Sequence, residues 1–136
     1  MKVVVDTMIW LSYAVSPNGF RRRLIATAQN RRVRLFVSDY ILNELEETLV
    51  EDFGRTRRFA RMARRAVLRI AKRVKLPDFI PRHVPGDPLD DPIVQTALTS
   101  KSHYLVTADK EILKLRKVQG VAMLSPSAFA MQLDIS

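Results

Sequence analysis

None of the 136 residues is a cysteine. That excludes disulfides, thiolate metal sites and thiol nucleophiles, and it suits a reducing compartment. The apolar runs fall far short of the roughly 20 residues of a membrane span, so no membrane association is expected. The opening Met1-Lys2-Val3-Val4-Val5-Asp6 carries one positive charge and then an acid. It does not read as a secretory signal, and a soluble cytoplasmic protein is the expectation. Histidine is scarce: His83 and His103 stand alone, in a loop and before a strand, and read as structural or exposed. No repeat or linker divides the chain. Residues 1–136 therefore read as a single domain, long enough to bury a core without staples.

Acids are missing from one long stretch. Arg55 to Lys75 holds ten basic residues and no Asp or Glu. Residues 1–76 carry 17 Lys/Arg against 7 Asp/Glu, whereas residues 77–136 carry 6 against 7. With a net charge of +9, the chain attracts polyanions, because each neutralised phosphate releases condensed counterions. Within the basic stretch Phe59, Met62, Ala63, Ala66, Ile70 and Val74 recur every three or four positions. The spacing predicts an amphipathic helix of about five turns. Its outer face would carry Arg57, Arg58, Arg61, Arg64, Arg65 and Arg69, facing RNA phosphates, an acidic protein partner or only solvent.

Elsewhere short apolar runs alternate with helical periodicity. Lys2–Asp6, Val33–Val37, Tyr104–Thr107 and Val121–Leu124 read as strands. Between and after them fall helices over Phe20–Gln29, from Ser38 as N-cap through Leu49, from Asp91 as N-cap with Pro92 first inside, around Ile112–Leu115, and over Ser127–Leu133. Arg21, Arg22 and Arg23 are expected to face outward. The proline-rich Pro77–Pro92 is expected to be a loop, with room for one short strand. Strands alternating with helices predict an α/β fold, a three-layer α/β/α sandwich around a parallel sheet of four to five strands.

In such sheets, sites form beyond the carboxyl ends of the strands, where strand order reverses. Asp6 and Asp109 follow two predicted strands, Asp91 opens a helix, and Glu44 lies on the flank of a helix stripe, with Glu46 on the opposite flank. Taken singly, each acid could be a cap or a solvated residue. Clustered, their charges repel and need a cation. An all-oxygen ligand set favours a hard ion, Mg²⁺ or Mn²⁺, which can activate water toward a phosphodiester.

These residues resemble the PIN-domain family, in particular the VapC-like toxin ribonucleases. Val3-Val4-Val5-Asp6-Thr7 resembles the family's first block and Val37-Ser38-Asp39-Tyr40-Ile41-Leu42-Asn43-Glu44 its second. Asp87-Pro88-Leu89-Asp90-Asp91 is similar to the third, and Leu105-Val106-Thr107-Ala108-Asp109 to the fourth. The resemblance implies metal-dependent cleavage of single-stranded RNA, homodimerisation, and inhibition by a cognate antitoxin protein. It also implies that Asp6, Glu44, Asp91 and Asp109 are the catalytic, metal-holding acids, with Asp90, Thr7, Ser38 and Thr107 in support. Asp91 is preferred to Asp90 because it lies 18 positions before Asp109. Where the family carries an Asn supporting the first acid, this chain has Met8. Met8 and the basic stretch suggest a second class of function, a PIN-like module that binds RNA or protein with little catalysis. A receiver domain or an aspartate-nucleophile phosphatase fits poorly, since no second acid pairs with Asp6 in the way either requires.

Overall fold

The computed structural model describes residues 1–133. Strand β1 (Lys2–Val5) leads directly into helix α1 (Thr7–Val15), and the breaker at Ser16–Gly19 separates α1 from α2 (Phe20–Asn30). Next come β2 (Arg34–Ser38), α3 (Asp39–Glu51), α4 (Arg57–Ile70) and β3 (Ala71–Val74). A 3₁₀ turn at Pro88–Asp90 opens α5 (Asp91–Thr99), followed by β4 (Tyr104–Val106), α6 (Lys110–Leu113), β5 (Lys117–Val118), β6 (Val121–Leu124) and α7 (Pro126–Leu133). No helix among the described residues is long and apolar enough to cross a membrane.

The strands form one sheet in the order β3-β2-β1-β4-β6-β5. Five run parallel, and only the two-residue β5 is antiparallel, hairpinned onto β6. Its two-residue loop, Gln119-Gly120, has positive φ at both positions (45° and 87°), which matches the twist of the flanking strands. Helices α1–α4 pack on one another and α7 packs on α2, while the right-handed rule for parallel crossovers assigns α5 and α6 to the opposite face, giving the expected layered α/β architecture. Val3–Val5, Leu35–Val37 and Leu105–Val106 are buried, as near-continuous apolar strands covered on both faces should be.

Three expectations need correction. The basic helix stops at Ile70, and Ala71–Val74 forms a sixth strand. Helical spacing persists through Ile70 and Val74, but β2 offers an unpaired edge. Pairing Leu35–Ser38 with Ala71–Val74 satisfies backbone groups that a longer helix would leave exposed on that edge. The sheet has six strands among the described residues rather than the expected four to five, the two-residue β5 being the other addition, while the chain up to the 3₁₀ turn at Pro88 is a loop as expected. Asp91, for its part, is not the N-cap of α5. It is the first helical residue, and Asp90 occupies the cap position without a side-chain capping bond.

Candidate active site

Strand order reverses between β1 and β4, so their carboxyl ends open a crevice. The Asp6 N–H donates to Val106 O at 3.0 Å, which ties the two strand ends together. A cleft of about 330 Å³ lies there, walled by Asp6, Glu44, Asp90 and Asp109 together with Thr7, Met8 and Arg21.

Asp6 is buried and serves as the N-cap of α1: its Oδ1 accepts the Ile9 N–H at 3.2 Å. Its Oδ2 accepts from the fully buried Thr107 hydroxyl. Burial pushes the Asp6 carboxyl up, and the Thr107 and Ile9 bonds and the charge of Arg21 work against that rise. Thr107 in turn accepts the Asp109 N–H at 2.9 Å, so one hydroxyl positions both acids. Asp109 caps α6, its Oδ1 accepting the Glu111 and Ile112 N–H groups at 2.8 and 3.3 Å.

Two glutamates of α3 separate by their partners. Glu44 accepts from the Thr7 hydroxyl and lines the cleft, whereas Glu46 turns to Arg64 at 3.4 Å. Among the described residues the Ser38 hydroxyl hydrogen-bonds to no acid. It accepts the Ile41 N–H as N-cap of α3 and shares a 2.8 Å hydrogen bond with Thr96, a buried α5 residue that sequence patterning passed over.

The third acid differs from expectation. Asp91 faces the preceding loop, where its Oδ1 accepts the His83 and Val84 N–H groups at 2.9 and 2.7 Å. Its Oδ2 accepts from Arg82 Nε at 2.8 Å. Burial opposes its charge, but these donors together hold the carboxyl below its usual range. Asp90 is the residue that lines the cleft, and its buried Oδ2 has no hydrogen-bond partner. Burial, then the negative charge of Asp109, raises the Asp90 carboxyl to about 7, with smaller contributions from the charge of Asp87, a hydrogen bond between the Asp90 and Asp109 carboxyls, and the charge of Glu44. Neighbouring Tyr40 is affected in the same way: burial and the charges of Glu44, Asp90 and Asp87 push its phenol up to about 12.

Among the described residues no three acids close into a ready-made metal cage. The donor chemistry nevertheless fits a hard divalent ion. Mg²⁺ characteristically keeps several waters and binds through one or two carboxylates plus substrate phosphates. An orphaned buried carboxylate oxygen, raised carboxyl pKa values and a cleft open to solvent suit that mode. Met8 is 51% exposed at the cleft wall and supports no acid, so Thr107 and the Ile9 N–H perform that task for Asp6.

The basic helix α4 exposes Arg57, Arg58, Arg61, Arg65 and Arg69, none of them ion-paired among the described residues. Arg64 is different. It packs inward against Asn43, Glu46 and Asp39 and is no free cation. Arg21, expected to face outward, instead lines the cleft. His83 and His103 make structural contacts, with Gln95 and the Lys2 N–H respectively.

A sequence model of the PIN domain matches residues 2–111. The fold is similar to that of a chain in the crystal structure of VapBC2 from Rickettsia felis bound to a DNA fragment from their promoter. The TM-score is 0.64 at 12% identity, over 92% of this chain and 98% of that one, a likeness that carries the fold alone. No curated protein matches the chain. The sequence match takes in most of the chain, including all four acids that face the cleft, and on that basis the chain belongs to the PIN-domain family.

Proposed function

We propose that this protein is a metal-dependent endoribonuclease acting on single-stranded RNA, with Asp6, Glu44, Asp90 and Asp109 as its catalytic, metal-holding acids. The observation that carries the reading is the meeting of these four carboxylates at the strand-order reversal, one of them with a buried oxygen left unpartnered. A bound Mg²⁺ or Mn²⁺ would supply an activated water and neutralise charge developing on a phosphodiester.

The chain's own residues prepare for this. Thr107 and the Ile9 N–H keep Asp6 aimed and favour its charged form. Thr7 orients Glu44, and the Glu111 and Ile112 N–H groups fix one oxygen of Asp109. Ser38, through Thr96, pins the start of α3 to α5 and so supports the elements that bear Glu44 and Asp90. Asp91 acts at one remove: by gripping the His83–Val84 backbone it sets the turn that points Asp90 inward.

Arg57, Arg58, Arg61, Arg65 and Arg69 offer a sequence-indifferent track for RNA phosphates or a seat for an acidic antitoxin segment. An antitoxin on that track would block RNA directly. The toxin of a toxin–antitoxin pair, acting in the cytoplasm as a homodimer, is the biological setting we propose. The similar fold in VapBC2 and the family membership support it. A weakly catalytic PIN-like binding module is the competing reading, with Met8 in its favour.

The deciding assay is cleavage of single-stranded RNA across Mg²⁺ and Mn²⁺ concentrations by wild type, Asp6→Asn and Asp90→Asn. Metal-dependent cleavage by wild type, abolished in both variants, is expected. A wild type that cleaves no better than the variants at any metal level sinks the nuclease reading.

A further inference from the structure

Three consecutive arginines follow Phe20 in the first turn of α2, and the fold gives them different partners. Arg22 lies over the Tyr13 ring at 4.4 Å and donates to Tyr13 O, and Arg23 donates to Asn18 O. Arg21 alone turns into the acidic cleft, where it is the one cation among the described lining residues.

Its situation there is unusual. Four carboxylates share the cleft, yet no carboxylate oxygen lies within 4.0 Å of its guanidinium among the described residues. Its hydrogen bond to a side chain goes to a neutral group, Ser12 Oγ, at 3.3 Å. An arginine placed only to neutralise acids would settle into a close, forked ion pair with one of them. Arg21 instead stands off, acting on Asp6 through space, with most of its five N–H donors unspent. A cation that stands off from the acids in a shared cleft leaves its donors free for an anion brought to that cleft. The fork geometry of a guanidinium matches the two non-bridging oxygens of a phosphodiester.

We propose that Arg21 binds the phosphodiester presented to the acids, gripping its non-bridging oxygens from its own wall of the cleft. The inference rests on the nuclease reading for its substrate class. It adds a substrate-binding residue that the family's four acidic motifs do not contain.

The test measures RNA binding separately from turnover, with a fluorescent single-stranded RNA and Ca²⁺ in place of Mg²⁺. Wild type, Arg21→Gln and Arg21→Lys are compared over a salt series, and thermal melting verifies that each is folded. Arg21→Gln should weaken binding on the order of tenfold and lower the salt slope by about 0.7, the single-strand signature of one phosphate that is no longer neutralised. Arg21→Lys should recover the slope and part of the affinity, since it restores the charge but not the fork. Mn²⁺ titration without RNA supplies the contrasting readout. If Arg21 is only a counterion for the acids, Arg21→Gln will tighten Mn²⁺ and leave RNA affinity and slope unchanged, which overturns the proposal. A wild type that binds no RNA overturns it as well. Should wild type bind RNA but never cleave it, the nuclease reading alone fails, and the salt slope still decides the role of Arg21.

Discussion

Replacing Asp90 or Asp91 by Asn should move stability in opposite directions, although the two residues are adjacent. Asp90 carries an unpartnered buried oxygen, and its carboxyl is raised from the usual 3.8 to about 7. A fully enclosed group so perturbed would cost the charged fold roughly 4 kcal/mol. Water in the open cleft screens the neighbours, so a penalty of about 1–2 kcal/mol is the better figure. The folded state holds this proton more tightly than the unfolded chain does. Stability is therefore highest below about pH 4 as far as Asp90 is concerned, and it falls as pH rises through about 7. Asp90→Asn removes that slope and should raise the melting temperature of the metal-free protein at pH 8.5 by about 3–8 °C. Asp91→Asn does the reverse: the variant forfeits charge-assisted acceptance from the His83 and Val84 N–H groups, a destabilisation of about 2–3 kcal/mol. The exposed Arg82 adds little to that destabilisation. Melting curves with and without Mn²⁺ provide the check. Mn²⁺ should stabilise wild type and Asp91→Asn but not Asp90→Asn. If Asp90→Asn destabilises the metal-free protein as much as Asp91→Asn, or if Asp91→Asn alone abolishes the Mn²⁺ effect, the assignment of the third acid is refuted.

Thr107→Val should weaken Mn²⁺ binding by about 10–100-fold in a calorimetric titration, because it removes the donor that aims Asp6 and works against the rise of its carboxyl, and Thr107→Ser should restore it. Acid should destabilise the fold through Asp91 and Asp39, whose carboxyls lie below their usual range, Asp39 chiefly through its bond from Arg73. Their contribution is complete above the unfolded value near 3.8 and disappears as pH falls below it, so removing Asp91 in the Asn variant should flatten the acid limb of a denaturation curve. Reversing Arg57, Arg61 and Arg65 to Glu should reduce the salt slope of RNA affinity by roughly 0.7 for each phosphate these arginines neutralise in wild type. An unchanged slope would remove RNA from that face and leave an acidic protein or solvent as its partner. Arg64→Glu should behave differently, loosening α3 against α4 and lowering the melting temperature, since Arg64 already contacts Asn43, Glu46 and Asp39.

Strands ending in acids are readable from sequence because the signal is local. Val3–Val5 before Asp6, and Leu105–Val106 before Thr107 and Asp109, combine buried runs with a capping residue. The features that escape are set by distant partners. Asp90 and Asp91 differ by one position at a helix entry, and the choice between them is made by Arg82 and the His83–Val84 backbone, about eight residues away. Ala71–Val74 keeps a helical pattern, yet its hydrogen bonds go to β2. Glu44 and Glu46 flank one stripe symmetrically, and only Thr7 and Arg64, on different elements, tell them apart. Arg21 sits in a run of three identical residues, where periodicity cannot separate the one that turns inward.

Asp6 and Asp109 each hold the first turn of a helix with the same carboxylate that faces the cleft. On the proposed nuclease reading, chemistry and folding draw on the same two carboxylates, and this constrains how such a protein can change over generations. Asn caps a helix about as well as Asp, whereas Ala does not. Drift away from activity should therefore pass through Asn at these two positions, leaving a well-folded chain with a silent cleft. Alanine, which forfeits the cap along with the charge, should be the rarer path.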